Sequence, residues 1–368
     1  MNNERKSNFE LLRIICMIMI VLSHCTYFGV VRVGQPDAYE LWGKSTFLYK
    51  SISSISILGT IGVGLFFMIS GYFTAHKEKT HIKKVCLITL FYAVLAILIV
   101  IISKVGGVQL YSSNGELVLD TLQLLFVPVT GSAWWYVTAY IVLMLIVPVY
   151  NRFLDKINEK GIKTFLLLLL VFGYTLGTLG SNFHDLEKAL FFYTLGVFFK
   201  DYTKNRKNTL DIMISIIGIV LNGLCQYGIF SFVLRESSNA VLFRKALSMT
   251  GYLIAEPLAC IGIFGLFSKM AIKYNSKINT IAKHTFGIYL LHEAKPLRNL
   301  IWIHILKPWQ YYGDAFHFVF IIICVAIVFF SGCVIDTLRE KVFEKPCTRF
   351  ADRLINNFRN YGFKQPNN

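Results

Sequence analysis

The sequence predicts an all-α, polytopic integral membrane protein with about ten transmembrane helices and both termini in the cytoplasm. Three observations predict it. The 368 residues are 55% hydrophobic, 15% aromatic and only 16% charged, too apolar for a water-soluble chain of this length. Apolar stretches able to cross about 30 Å of hydrocarbon recur along the chain. The loops joining them alternate between basic and non-basic.

The stretches fall near residues 10–30, 55–75, 84–103, 134–150, 163–180, 186–200, 210–232, 248–270, 281–303 and 315–338. The first begins like a signal peptide, with charges ahead of an apolar run. It lacks an A-x-A cleavage site and carries a histidine, which favours an uncleaved first helix. The sixth is short and the ninth amphipathic, while residues 117–129 suit the interface as well as a span.

One set of alternate loops holds Lys77, Lys79, Lys83 and Lys84, then Arg152, Lys156 and Lys160, then Lys204, Arg206 and Lys207, then Lys269, Lys273 and Lys277. That is the cytoplasmic side, and an even helix count puts both termini there. Residues 1–338 then form the membrane domain. Residues 339–368 form a basic cytoplasmic tail whose Phe343, Phe350 and Phe358 suit an anionic leaflet. The net charge of +16 therefore reports topology, since the basic residues do not gather on a polar face with stacking aromatics as nucleic-acid binding requires. The eight cysteines form no CxxC or zinc-finger spacing and read as small buried apolar residues, with no metal and no disulfide.

Polar groups within apolar runs are costly, so each invites a functional reading. Arg13 and His24 share the first helix, eleven residues apart, hence on one face and roughly 16 Å apart along the axis. Arg13 then lies at the cytoplasmic mouth, within reach of Glu10, and His24 past the midplane. Taken separately, Arg13 is also explained as a snorkelling anchor and His24 as an interhelical donor. The second helix ends in Ser70-Gly71-Tyr72 at the level of Arg13, a run that small-residue packing also explains. Trp134-Trp135-Tyr136 open the fourth helix on the outer side, as an aromatic belt or a platform for a sugar ring. Tyr289, His292 and Glu293 lie on the ninth helix near the depth of His24, with Glu256 of the eighth at similar depth. Asp314 and Asp336, near helix ends, read as interfacial charges. Such a path suits proton-transfer chemistry or a transport route, and composition does not choose between them.

In this order and spacing, the motifs resemble the acyltransferase 3 family of bacterial membrane proteins, which O-acylate cell-surface sugars. The carriers are Arg13 and His24, Ser70-Gly71-Tyr72, Trp134 to Tyr136 with Pro148 and Asn151 closing that helix, and Tyr289 to His292, over residues 8 to 338. One branch of that family appends an esterase-like extracytoplasmic domain, which the chain is expected to lack. The resemblance implies a multi-pass protein of the bacterial cytoplasmic membrane. It implies transfer of an acyl group, usually acetyl, from cytoplasmic acetyl-CoA or another acyl-CoA to a sugar hydroxyl of a polysaccharide or lipid-linked oligosaccharide, with no bound cofactor. On that reading Arg13, Ser70, Gly71 and Tyr72 meet the donor. His24 is the general base or the acyl carrier, and His292 a second acid/base or substrate contact. Trp134, Trp135, Tyr136 and Tyr289 meet the acceptor, and Glu10, Glu256 and Glu293 support them. The competing readings are an exporter or flippase of a polysaccharide or its lipid-linked precursor, and a polysaccharide polymerase. The first needs a wide polar cavity and the second a long arginine-rich outer loop.

Overall fold

The computed structural model describes residues 5–31, 46–80, 82–126, 134–175, 184–203, 207–231, 237–311, 314, 316–344 and 346. The basic tail beyond 346 lies outside the described residues. Those described are helical throughout, with no strand among them. In chain order the helices are α1 (Ser7–Thr26, continued to Val31 by a wider turn), α2 (Thr46–Ile55), α3 (Leu58–Thr74), α4 (Lys83–Val105), α5 (Asn114–Phe126), α6 (Trp135–Leu154), α7 (Glu159–Leu168), α8 (His184–Tyr202), α9 (Asn208–Ser231), α10 (Ser238–Thr250), α11 (Glu256–Lys269), α12 (Ser276–Lys283), α13 (Thr285–Glu293), α14 (Lys295–Asn299) and α15 (His317–Arg339).

Seven spans among the described residues are long and apolar enough to cross a membrane: Ser7–Val31, Lys50–Thr74, Lys83–Val105, Trp135–Leu154, Asn208–Ile229, Ser238–Lys269 and His317–Glu344. The other three sequence stretches differ for identifiable reasons. The helix begun by α7 is described only to Thr175. Charged residues at both ends of α8, among them Asp185, Glu187, Lys188, Lys200 and Asp201, dilute its apolar run. The stretch 281–303 is broken into α12, α13, α14 and a wider turn over Leu300–Ile305.

Apolar side chains face outward as well as into the core, as a lipid-facing protein requires. Along α4, Val94, Leu98, Ile101, Ile102 and Val105 are exposed at helical spacing, while Thr89, Tyr92, Ala96 and Ser103 are buried. Helix α1 occupies the middle of the bundle, packed against α3, α11, α12, α13 and α15. α3 and α8 approach backbone to backbone: a Cβ on Gly71 would run into the Tyr193 carbonyl, and one on Gly196 into the Met68 carbonyl. A closed set of hydrogen bonds locks the same junction. Tyr193 donates to Asn151 Oδ1 at 2.8 Å, and Asn151 Nδ2 donates to the Thr74 and Lys77 carbonyls at 2.8 and 3.0 Å.

Beyond α3, His76 ties the ends of α6 and α8 together. Its Nδ1 meets Asp155 at 2.6 Å and its Nε2 meets Asp201 at 3.0 Å, from a left-handed backbone (φ 64°) that histidine tolerates better than most residues. The hydrogen bond to Asp201, and then the one to Asp155, raise His76 above its ordinary value of 6.5. A raised histidine adds stability that is complete below 6.5 and is lost as pH climbs through the raised value. His76→Gln should therefore lower the thermal midpoint in detergent at acidic pH and cost progressively less as pH rises. A pH-independent difference would contradict the tie.

Asp336 corrects the interfacial reading. It is 2% exposed and accepts hydrogen bonds from Tyr92 at 3.1 Å, His284 Nδ1 at 2.7 Å and Arg339 Nε at 2.6 Å. His284 sits at the junction of α12 and α13, and a Cβ on Gly287 would strike the Asp336 carboxylate. α13 is thereby pinned at its first turn.

Candidate functional site

The site exists because the ninth apolar stretch is not one helix. Pro296 lacks an N–H, and its ring would collide with the carbonyl four residues back, so α13 ends at Glu293 and Ala294 turns extended (ψ 128°). Broken helices at membrane depth are tolerated where protein covers the freed backbone groups. The fully buried Trp134 provides that cover, its indole Nε1 donating to the Leu290 carbonyl at 3.2 Å.

The break turns the end of α13 toward α1. His24 Nδ1 lies 3.1 Å from Glu293 Oε2, and the His24 and His292 rings are 5.0 Å apart. The His24–Glu293 contact is an ion-pair distance whose angle falls short of a hydrogen bond. Catalytic pairs commonly show such misalignment before substrate binds. His292 is fully enclosed and donates its Nδ1–H to the Ile288 carbonyl at 2.5 Å. That fixes its tautomer and leaves Nε2 as a bare lone pair with no partner among the described residues. The His24 side chain is 16% exposed, so of the two imidazoles it is the one a substrate can reach. Arg298 closes the cluster, with Nη1 3.8 Å from Glu293 Oε1 and its guanidinium 4.0 Å above the Phe28 ring.

A second feature lies along α1 toward its N-terminus. A cavity of about 280 Å³ is lined by Arg13, Ser70, Tyr136, Tyr140 and Tyr289, with Arg5, Lys84 and Lys283 at its walls. Arg13 contacts Glu10 at 3.4 Å, as the spacing predicts, and Arg5 lies 3.8 Å from the same carboxylate. Four cations border this small cavity, Arg5 and Arg13 sharing Glu10, Lys84 pairing with Glu344 at 2.6 Å and Lys283 with Glu340, so an anionic ligand there exchanges with those carboxylates. Tyr289 joins the two features: it lines the cavity, and its ring is 5.5 Å from Tyr136 and 6.3 Å from His292. Its hydroxyl has no partner among the described residues.

The remaining sequence-predicted residues divide clearly. Arg13, Ser70, Tyr136 and Tyr289 meet at the cavity, and His24, His292 and Glu293 meet at the cluster. Ser70 spends its proton on the Phe66 carbonyl at 2.9 Å. Gly71 faces α8 instead of the cavity, and Tyr72 joins an aromatic group with Phe9, Phe73 and Phe264. Trp134 is interior and caps a broken helix, so the sugar platform fails for it, while the half-buried Trp135 sets its edge against Tyr136 at 6.2 Å. Glu256 lies elsewhere, paired with Lys188 at 2.9 Å and accepting from Tyr174. Its partners come from helices distant in sequence, which depth along one helix does not reveal.

Sequence reasoning missed Arg298, Tyr140 and the cations Arg5, Lys84 and Lys283. Arg298 carried a signal: an arginine inside an apolar run, five residues beyond Glu293. The lysines resembled ordinary basic-loop residues and carried none.

No curated protein matches this chain. No solved structure matches it either. The profile of the acyltransferase 3 family, described as an acyltransferase domain, matches residues 6–336 and so takes in both the cavity and the histidine cluster. Several apolar helices and an acyltransferase domain over nearly the whole length identify a multi-pass membrane protein, and the chain belongs to the acyltransferase 3 family of acyltransferases.

Proposed function

We propose that this protein moves an acyl group, acetyl in the first instance, from cytoplasmic acyl-CoA to a hydroxyl of a surface or lipid-linked polysaccharide. It would sit in the bacterial cytoplasmic membrane with ten crossings and both termini inside. Ten apolar stretches in the sequence, joined by alternately basic loops, support that topology. The observation carrying the reaction is the junction at Tyr289, which joins a cation-ringed cavity to two histidines and a glutamate at the opposite end of α1.

The donor's phosphates suit Arg13, Arg5, Lys84 and Lys283, with the thioester reaching past Tyr289 toward His24. Glu293 steadies His24 Nδ1–H, leaving Nε2 to accept the proton of the attacking sugar hydroxyl. The hydroxyl oxygen bonds to the thioester carbon, and the unpartnered Tyr289 hydroxyl is placed to donate to the oxyanion. The C–S bond then breaks, the thiolate takes the proton from His24, and CoA leaves as the thiol. His292, enclosed, with its Nδ1–H given to the Ile288 carbonyl and only the Nε2 lone pair free, positions His24 rather than touching substrate.

The test is transfer of labelled acetyl from acetyl-CoA to de-O-acylated surface glycan by purified protein in detergent. Micelles have no two sides, so product there separates an acyltransferase from an exporter. Arg13→Ala should raise the KM for acetyl-CoA by about tenfold, in line with the loss of a charge-assisted contact of roughly 1.5 kcal/mol. An unchanged donor KM would remove Arg13 from the donor site.

A further inference from the structure

Trp134 is buried, so of the sequence-predicted acceptor residues it is the one that cannot stack a sugar ring. The end of the bundle that carries His24 offers another surface. Helix α4 ends in a complete left-handed cap: Val108 N–H bonds to the Ser103 carbonyl at 2.8 Å, Gly107 N–H bonds to the Lys104 carbonyl at 3.3 Å, and Gly107 has φ 73°. The chain doubles back there and leads into α5, enclosing a cavity of about 370 Å³ between the end of α4 and residues 107–117.

This cavity has a mixed lining. The exposed Lys104, Gln109, Ser112 and Asn114 border it, opposite Val100, Val108, Leu110 and Leu117. Tyr111, 5% exposed, forms part of its wall and is fixed by donating to Asp120. Two amides, a hydroxyl and an ammonium converging on one concavity beside a tyrosine suit a polyhydroxylated ligand better than a lipid tail.

The same segment is fastened to the polypeptide that follows the catalytic glutamate. Asn299 Nδ2 donates to the Leu110 carbonyl at 2.7 Å, and His304 Nε2 donates to the Gln109 carbonyl at 3.1 Å. Lys295, two residues past Glu293, pairs with Glu116 and lies 5.7 Å over the Tyr111 ring. A ligand in the cavity is therefore held by a frame that continues directly into the His24–Glu293–Arg298 cluster.

We infer that the cavity lined by Lys104, Gln109, Ser112 and Asn114 is the acceptor subsite, binding sugar units next to the one that reacts. This rests on the acyltransferase reading and names the part of the chain that recognises the glycan. The cavity volume fits one or two sugar rings, so the subsite selects a short motif rather than a polymer.

The experiment uses full-length protein in nanodiscs. Its probe is the producing cell's surface polysaccharide, stripped of acyl groups by mild base and cut to fragments of about four to eight sugars. Gln109→Ala with Asn114→Ala should weaken fragment binding by about tenfold, two neutral hydrogen bonds' worth, with stabilisation by CoA as the check on folding. A dissociation constant within twofold of wild type overturns the subsite. Should the double variant not fold, N114C labelled with a membrane-impermeant maleimide replaces it: fragments should slow labelling at least fivefold, and unslowed labelling overturns the inference. Acetyl transfer to the same fragments is measured in parallel. Fragments that bind and protect without being acetylated keep the subsite and remove the acyltransferase reading. Fragments that are acetylated without protection or weakening do the reverse.

Discussion

In a His24→Ala variant, acetyl transfer falls by at least a hundredfold while the protein stays folded. General acid–base catalysis by a positioned side chain contributes about 10²–10⁴ in rate, and His24 is the reachable imidazole of the pair beside Glu293. Its neighbours at the cluster are the rings of Phe28 and His292 and the Glu293 carboxylate, none of which needs it to hold the helices together. The decisive comparison sets transfer rate against thermal midpoint in one preparation. A rate within threefold of wild type removes His24 from the chemistry, and a collapsed midpoint makes it a structural residue. Because His292 acts through His24, His292→Ala should cost less in rate. An equal or larger loss would reverse their roles.

Asp336→Ala carries the largest expected penalty on stability, about 3 kcal/mol, because it takes from the buried Arg339, 5% exposed, its nearer counter-ion and leaves it Glu344 at 3.4 Å. Tyr92 and His284 lose their acceptor together with it. The effect should reach the site through His284, which pins the start of the helix that ends in His292 and Glu293. A thermal unfolding series of Asp336→Ala, Asp336→Asn and the double variant Asp336→Ala/Arg339→Met tests this. Asn keeps an acceptor, so it should lie between wild type and Ala. The double variant should recover part of the loss, since it also removes the buried charge left with the weaker of its two partners. No recovery would mean that the carboxylate acts through packing alone.

Arg13 and His24 illustrate what local rules deliver. Their face and separation follow from 3.6 residues per turn, and Glu10 contacts Arg13 because it lies one turn earlier. The class of protein was equally legible, because hydrocarbon imposes a length and an apolarity that appear directly in the letters. Ser70-Gly71-Tyr72 and Trp134 show where local rules stop. A helix has several faces, and which of them meets a cavity depends on the neighbours. The resemblance assigns Ser70, Gly71 and Tyr72 alike to the donor, yet each residue turns about 100° from the last, and of the three Ser70 lines the cavity.

What the sequence determined by itself was an all-helical, lipid-embedded chain of a recognisable family, with an arginine and a histidine on one stripe of its first helix. Tertiary structure decided the rest. It broke the ninth stretch at Pro296 and brought Glu293 and Arg298 onto His24. It moved Trp134 inside and made Asp336 a hub. The physical reason is range. Periodicity and hydropathy act between residues a turn or two apart, whereas the cluster joins positions such as 24 and 293, whose meeting depends on how helices distant in sequence pack and where one of them ends.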